Sequence, residues 1–122
     1  MKAKQFSFRK RVNSFWFAWE GIRRFFAEEH NGWIHLAATI TVFFAAGWFR
    51  LSRIETISLV IVTGLVWVAE IFNTAIEKIM DFISPQRHPQ VKYIKDLSAA
   101  AVLIASFIAI ITGTIVFIPK IF

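Results

Sequence analysis

The chain has 122 residues, of which 57% are hydrophobic and only 18% charged, with a net charge of +6 and a mean hydropathy of +0.57. Soluble domains average about 45–50% apolar and about 25% charged, so this excess, arranged in runs, points to one small integral membrane domain. The absence of cysteine removes disulfides, thiolate nucleophiles and Cys-ligated zinc, and the basic residues gather beside hydrophobic segments, where lipid headgroups rather than nucleic acid attract them.

Residues 7–28 place Phe8, Val12, Phe15, Trp19, Ile22 and Phe26 at alternating spacings of four and three, the period of a helix with one apolar stripe. Arg9, Lys10, Arg11, Arg23 and Arg24 occupy its other faces, so this helix is expected to lie in the membrane interface. A soluble amphipathic helix packed on a partner is the other reading of the same pattern. Trp33–Phe49 is the first expected span, 17 residues with Trp33 and Trp48 as interfacial anchors. Arg50–Glu55 is expected as a short polar turn.

The second helix is expected from about Glu55 to Ile83, with 56–83 as its membrane part. At roughly 43 Å it exceeds a ~30 Å hydrocarbon core, so its last turns should emerge from the bilayer. Ser84-Pro85 ends it, because proline disfavours helix in the residue before it. A polar loop of Gln86, Arg87, His88, Pro89, Gln90 and Lys92 follows. Leu97–Ile118 is the third span, 22 residues without a charge, closed by Pro119-Lys120. Repeats, low-complexity tracts and a cleavable signal are not visible, so 1–122 reads as a single all-α membrane domain, a surface helix plus three transmembrane helices, inserted through its first membrane helix.

Lysine and arginine counts set the orientation. The N-terminal region holds seven and the stretch from Lys78 to Lys95 four, against Arg50, Arg53 and Lys120 on the opposite side. The N-terminus and the 84–96 loop are therefore expected in the cytoplasm and the C-terminus outside, in the cell membrane.

Four polar side chains interrupt the second helix. With Glu70 as zero, Asn73 lies near about −60°, Glu77 near about −20° and Asp81 near about +20°, one stripe about 80° wide. Ionisable groups at bilayer depth are costly, face a bundle interior or wet cavity, and suggest a functional site. The stripe descends from Asp81 near the cytosol to Glu70 about 16 Å further in. Carboxylates near the surface can hold Mg²⁺ together with phosphate oxygens, and a deeper one can accept a proton from a hydroxyl. Glu77 suits the first role and Glu70 the second. Glu29 and Lys95, on the same side, add a further ligand and a phosphate-neutralising cation. Phosphoryl transfer follows as a hypothesis, although P-loop, Rossmann and protein-kinase motifs are all missing. Each residue has a plainer reading too. Glu77, Lys78 and Asp81 suit a solvated helix end, Asn73 suits interhelical hydrogen bonding, Lys95 an anchor and Asp96 an N-terminal helix charge. Ser98, Ala99, Ala100, Ala101 and Ala105 suggest close helix packing rather than catalysis.

The residues resemble the prokaryotic diacylglycerol kinase/undecaprenol kinase family of small membrane lipid kinases, over nearly the whole chain. Ser14-Phe15 with Ala18 and Gly21, Glu29-His30-Asn31 with Ile34-His35, and Glu70-Ile71-Phe72-Asn73-Thr74-Ala75-Ile76-Glu77 with Asp81 carry the resemblance. Lys95-Asp96-Leu97-Ser98-Ala99-Ala100-Ala101-Val102-Leu103 and Phe117-Ile118-Pro119-Lys120 complete it. The resemblance implies a homotrimer with composite active sites, Mg²⁺, and ATP as donor to a lipid hydroxyl. By the same resemblance Glu70 matches the base, Asn73 an orienting residue, and Glu29 and Glu77 the metal-binding carboxylates. Lys10, Phe17, Glu29, Glu77, Asp81, Lys95 and Asp96 are expected at the nucleotide, and Glu70 and Trp67 at the lipid. Phe17 stands where members often carry tyrosine, so only stacking remains. Lys10 replaces a frequent arginine and forgoes a bidentate phosphate contact. The Phe-Ile-Pro-Lys ending leans toward undecaprenol as acceptor, with diacylglycerol, giving phosphatidic acid, as the alternative. A different class, a proton-coupled transporter, would need polar residues on both sides of the midplane, where only Thr39, Thr41 and Thr63 offer a continuation.

Overall fold

A computed structural model describes residues 5–122. All regular structure among them is helical: α1 Phe8–Glu28, α2 His30–Trp48, α3 Arg53–Ile83 and α4 Pro89–Ile121. α3 and α4 are each long and apolar enough to cross a membrane. α2, at 19 residues, is diluted by His30, Asn31 and His35 and falls short of the same hydropathy. The chain forms two compact units, one reaching to Ala38 and one from Thr39 to Phe122.

In the first unit, the Ser7 hydroxyl caps α1 by accepting the Lys10 N–H at 3.4 Å, so the helix proper begins at Phe8. Arg23–Glu20 and Arg24–Glu28 pairs lie on its polar side. Phe8, Val12, Phe15 and Trp19 of the apolar stripe are exposed, uncovered within the unit. α1 stops at Glu29, whose extended backbone still donates its N–H to the Phe25 carbonyl at 2.9 Å. An aromatic clasp closes the corner into α2. Phe25 is buried and meets Phe26 edge-on at 5.5 Å, Phe26 lies 5.3 Å from Trp33, and the Trp33 indole donates to the Phe26 carbonyl at 2.9 Å. Gly32 is required by this close approach, because a Cβ there would stand 2.7 Å from the Phe25 ring.

In the second unit, α2 ends in a Schellman motif. The Leu51 N–H bonds the Ala46 carbonyl at 3.2 Å and the Arg50 N–H bonds that of Gly47 at 3.3 Å, with Arg50 in the left-handed region at φ 52°. Leu51 then packs on the cluster of Ala46, Leu59 and Val116, joined by Val42 and Phe117. Ser52 and Glu55 form a capping box, each side chain bonding the other's N–H at 3.2 and 2.9 Å. These two motifs shorten the turn to residues 49–52, instead of the expected Arg50–Glu55, and start α3 at Arg53. Lys120, near the end of α4, reaches the Glu55 carboxylate at 3.4 Å.

α4 packs against α3, and its limits differ most from those of the expected span. It begins at Pro89, eight positions before Leu97, because the His88 ring nitrogen Nδ1 accepts the Gln90 N–H at 3.1 Å and Pro89 needs no N–H partner at the first helical position. It also runs through Pro119 to Ile121, since a proline in the last turn forfeits only one backbone bond. Of the small residues near its start, Ser98 and Ala105 are buried while Ala99 and Ala101 are exposed.

Candidate functional site

The polar stripe of α3 is graded in exposure. Glu70 is buried at 5%, Asn73 and Glu77 are half-buried, and Asp81 is exposed. Helix pitch explains the sequence of polar contacts: positions 73 and 77 are i,i+4 neighbours, and the Asn73 amide donates to the Glu77 carboxylate at 3.5 Å. The same carboxamide turns its oxygen to α4, where the Ser98 hydroxyl donates to it at 2.7 Å. One turn further out, Lys95 pairs with Asp81 across the two helices. Lys92 and Asp96 form an i,i+4 pair at 2.6 Å beside them. The structure therefore brings Asn73, Glu77, Asp81, Lys95 and Asp96 to one end of the α3–α4 pair, with Glu70 deeper on the same helix.

A cavity of about 680 Å³ opens at this end. Asp81, Arg87, His88, Lys92, Lys95 and Asp96 are among the residues lining it, three cationic side chains against two carboxylates. That balance suits a polyanion: guanidinium and ammonium groups bond phosphate oxygens, and each carboxylate already has a lysine partner.

The remaining candidates lie elsewhere. Trp67 is half-buried and donates its indole N–H to the Thr39 hydroxyl at 2.9 Å, so its polar edge is spent on holding α2 to α3. Lys10 and Phe17 are exposed on α1, and Glu29 caps that helix; all three belong to the first unit. Two expectations change. Asp96 is not a charge at the start of a helix, since it lies in the third turn of α4. Ser98 is not a packing residue alone, since its hydroxyl bonds the stripe. Arg87, His88 and Lys92 also line the cavity, and no motif in the sequence marks them. Lys92 stands four before Asp96 and three before Lys95, a helical spacing that becomes a signal only once α4 is known to begin at Pro89. No spacing along the chain links residue 98 to residue 73.

Among the described residues, no three His, Asp or Glu side chains gather as a self-sufficient metal cluster. Mg²⁺ carried on a nucleotide needs only one or two carboxylates, the phosphates and water supplying the rest. Glu77, oriented by Asn73, fits that lesser demand.

Residues 16–117 match the family model for prokaryotic diacylglycerol kinase. The chain is similar to a diacylglycerol kinase of Synechocystis, at 35% identity over 87% of this chain, and the match spans 61% of that longer protein. It is similar to the undecaprenol kinase of Bacillus subtilis, at 36% identity over 88% of this chain and 87% of that one. The diacylglycerol kinase of Escherichia coli K12 is 32% identical over 81% of each chain. Lys10 lies outside the matched range, whereas the other site candidates lie within it.

Proposed function

The chain belongs to the prokaryotic diacylglycerol kinase family, and on that premise we propose that it transfers the γ-phosphate of ATP to the hydroxyl of a membrane lipid. One observation carries this reading: a buried carboxylate, Glu70, shares a helix stripe with an Asn73–Glu77 pair that leads to a cationic cavity. A phosphoryl acceptor and donor need these two environments, one apolar and one aqueous.

The mechanism assigns each residue a task. Glu70 takes the proton from the lipid hydroxyl as its oxygen bonds the γ-phosphorus. The bond from that phosphorus to the bridging oxygen breaks, and ADP leaves with the electron pair. Lys95, drawn from Asp81 toward the nucleotide, balances charge on the phosphates, and Arg87 and Lys92 extend that role along the cavity. Asn73 orients the Glu77 carboxylate. Mg²⁺ would be held by Glu77 and, following the family resemblance, Glu29, and would neutralise phosphate charge. Asp81 and Asp96 keep the lysines extended into the cavity. Lys10 and Phe17 of α1 add a phosphate contact and a stacking surface, and Trp67 lines the lipid side near Glu70.

In the cell membrane, α1 lies on the cytoplasmic surface and α2, α3 and α4 cross, the uncharged run 33–49 serving as the third span. Three copies share composite sites, as the family resemblance implies, and nucleic acid plays no part. Undecaprenol is the preferred acceptor and diacylglycerol the second. Both present a primary hydroxyl at the interface, so the acceptor is set by the lipid-facing wall rather than by Glu70.

The test uses purified protein in mixed micelles with Mg-ATP and each lipid alcohol side by side. A phosphorylated lipid is expected, with Glu70→Gln lowering kcat by ~10²–10⁴ while the fold is retained. Wild-type turnover by that variant would remove Glu70 from the mechanism.

A further inference from the structure

We propose that Ser98 is a positioning residue, whose hydroxyl fixes which edge of the Asn73 carboxamide faces Glu77. It rests on the kinase reading only for what that edge does in turnover.

Ser98 is 7% exposed and sits on α4, across from the stripe. Its one hydroxyl proton has two acceptors in reach, the Asn73 oxygen at 2.7 Å and the Lys95 carbonyl at 2.9 Å. The choice between them is linked to the amide. With the proton on Asn73, the carboxamide oxygen is held toward α4 and its NH₂ faces the Glu77 carboxylate. With the proton on the Lys95 carbonyl, the serine oxygen becomes an acceptor, the amide can turn over, and its oxygen then confronts Glu77. An ionised carboxylate has only lone pairs to offer, so that second arrangement sets two acceptors against each other. A carboxylate at Glu77 and the Ser98 hydroxyl therefore select the same amide orientation from opposite ends. The Asn73–Glu77 bond alone is long, at 3.5 Å, and the short serine bond supplies the constraint that it lacks.

Groups that orient a metal-binding carboxylate influence ion affinity by ~10–100-fold when removed. Ser98→Ala is therefore expected to raise the Mg²⁺ concentration for half-maximal activity by ~10-fold, with kcat at saturating Mg²⁺ changed less. Ser98→Thr, which keeps the hydroxyl, should restore the wild-type value. A packing role would give the reverse, with Ala tolerated and the larger Thr harmful. Ser98→Cys, close in size to serine but a weak donor, should shift in the same direction as Ala and guards against a folding defect.

A second readout does not depend on turnover. The chain has three asparagines, at positions 13, 31 and 73, so the Asn73 side-chain amide can be assigned in ¹⁵N-asparagine-labelled protein by comparison with Asn73→Ala. Ser98→Ala should move its two proton signals and speed their exchange with water, and Ser98→Thr should return them. Unchanged Asn73 signals in Ser98→Ala would overturn the positioning role even if the protein is an active kinase. If no lipid is phosphorylated by the wild type, the kinase reading fails, and the amide signals still decide the role of Ser98.

Discussion

Lys95 shows how much a single side chain must be shared. Its ammonium pairs with Asp81, an exposed carboxylate. Exposed ion pairs are worth only about 0–1 kcal/mol, so a phosphate carrying more charge can take the lysine over with little penalty. Lys95→Ala should accordingly raise the KM for ATP by ~10-fold or more, the usual scale for losing a hydrogen bond to a charged group. The check is a pair of ATP saturation curves at fixed Mg²⁺, and an unchanged KM would assign the lysine to Asp81 alone. The four residues of the α3 stripe were legible in the sequence, because a helical period places them on one face whatever surrounds them. Ser98 and the lining role of Lys92 were not. Both depend on the pairing of α3 with α4, and contacts across helices leave no period along the chain.

At the scale of elements, hydropathy located the apolar runs and caps decided where the helices end. Ser52 and Glu55 start α3 at Arg53, and His88 with Pro89 starts α4 well ahead of its apolar run. The Ser52–Glu55 spacing is a sequence-level signature, but a histidine cap is uncommon and gave no warning. The corner between α1 and α2 was also hidden, since its clasp needs Gly32 for closeness rather than for flexibility. Gly32→Ala should push the Phe25 ring off Phe26 and weaken the Trp33 bond, destabilising the corner by about 1–3 kcal/mol, the usual cost of overpacking. Gly21→Ala, with open space around the new methyl, should leave stability unchanged or higher. Thermal unfolding of the two variants in the same detergent is the comparison, and equal melting temperatures would dismiss the clasp.

Over the whole molecule, the cavity lies at the α3–α4 turn, and the lysine and arginine counts predict that this end faces the cytoplasm. Because the chain has no cysteine, single cysteines report topology without background. Gln86→Cys should resist a membrane-impermeant maleimide in intact cells and react in inside-out vesicles, and Phe122→Cys should do the opposite; a reversed pattern would turn the protein over. At the other end of the bundle, the turn between α2 and α3 keeps its backbone hydrogen bonds to itself through the Schellman motif and the capping box. If α2 and α3 cross the bilayer as the hairpin proposed above, Arg50, Arg53 and Glu55 at this turn are the charges that must be carried across together.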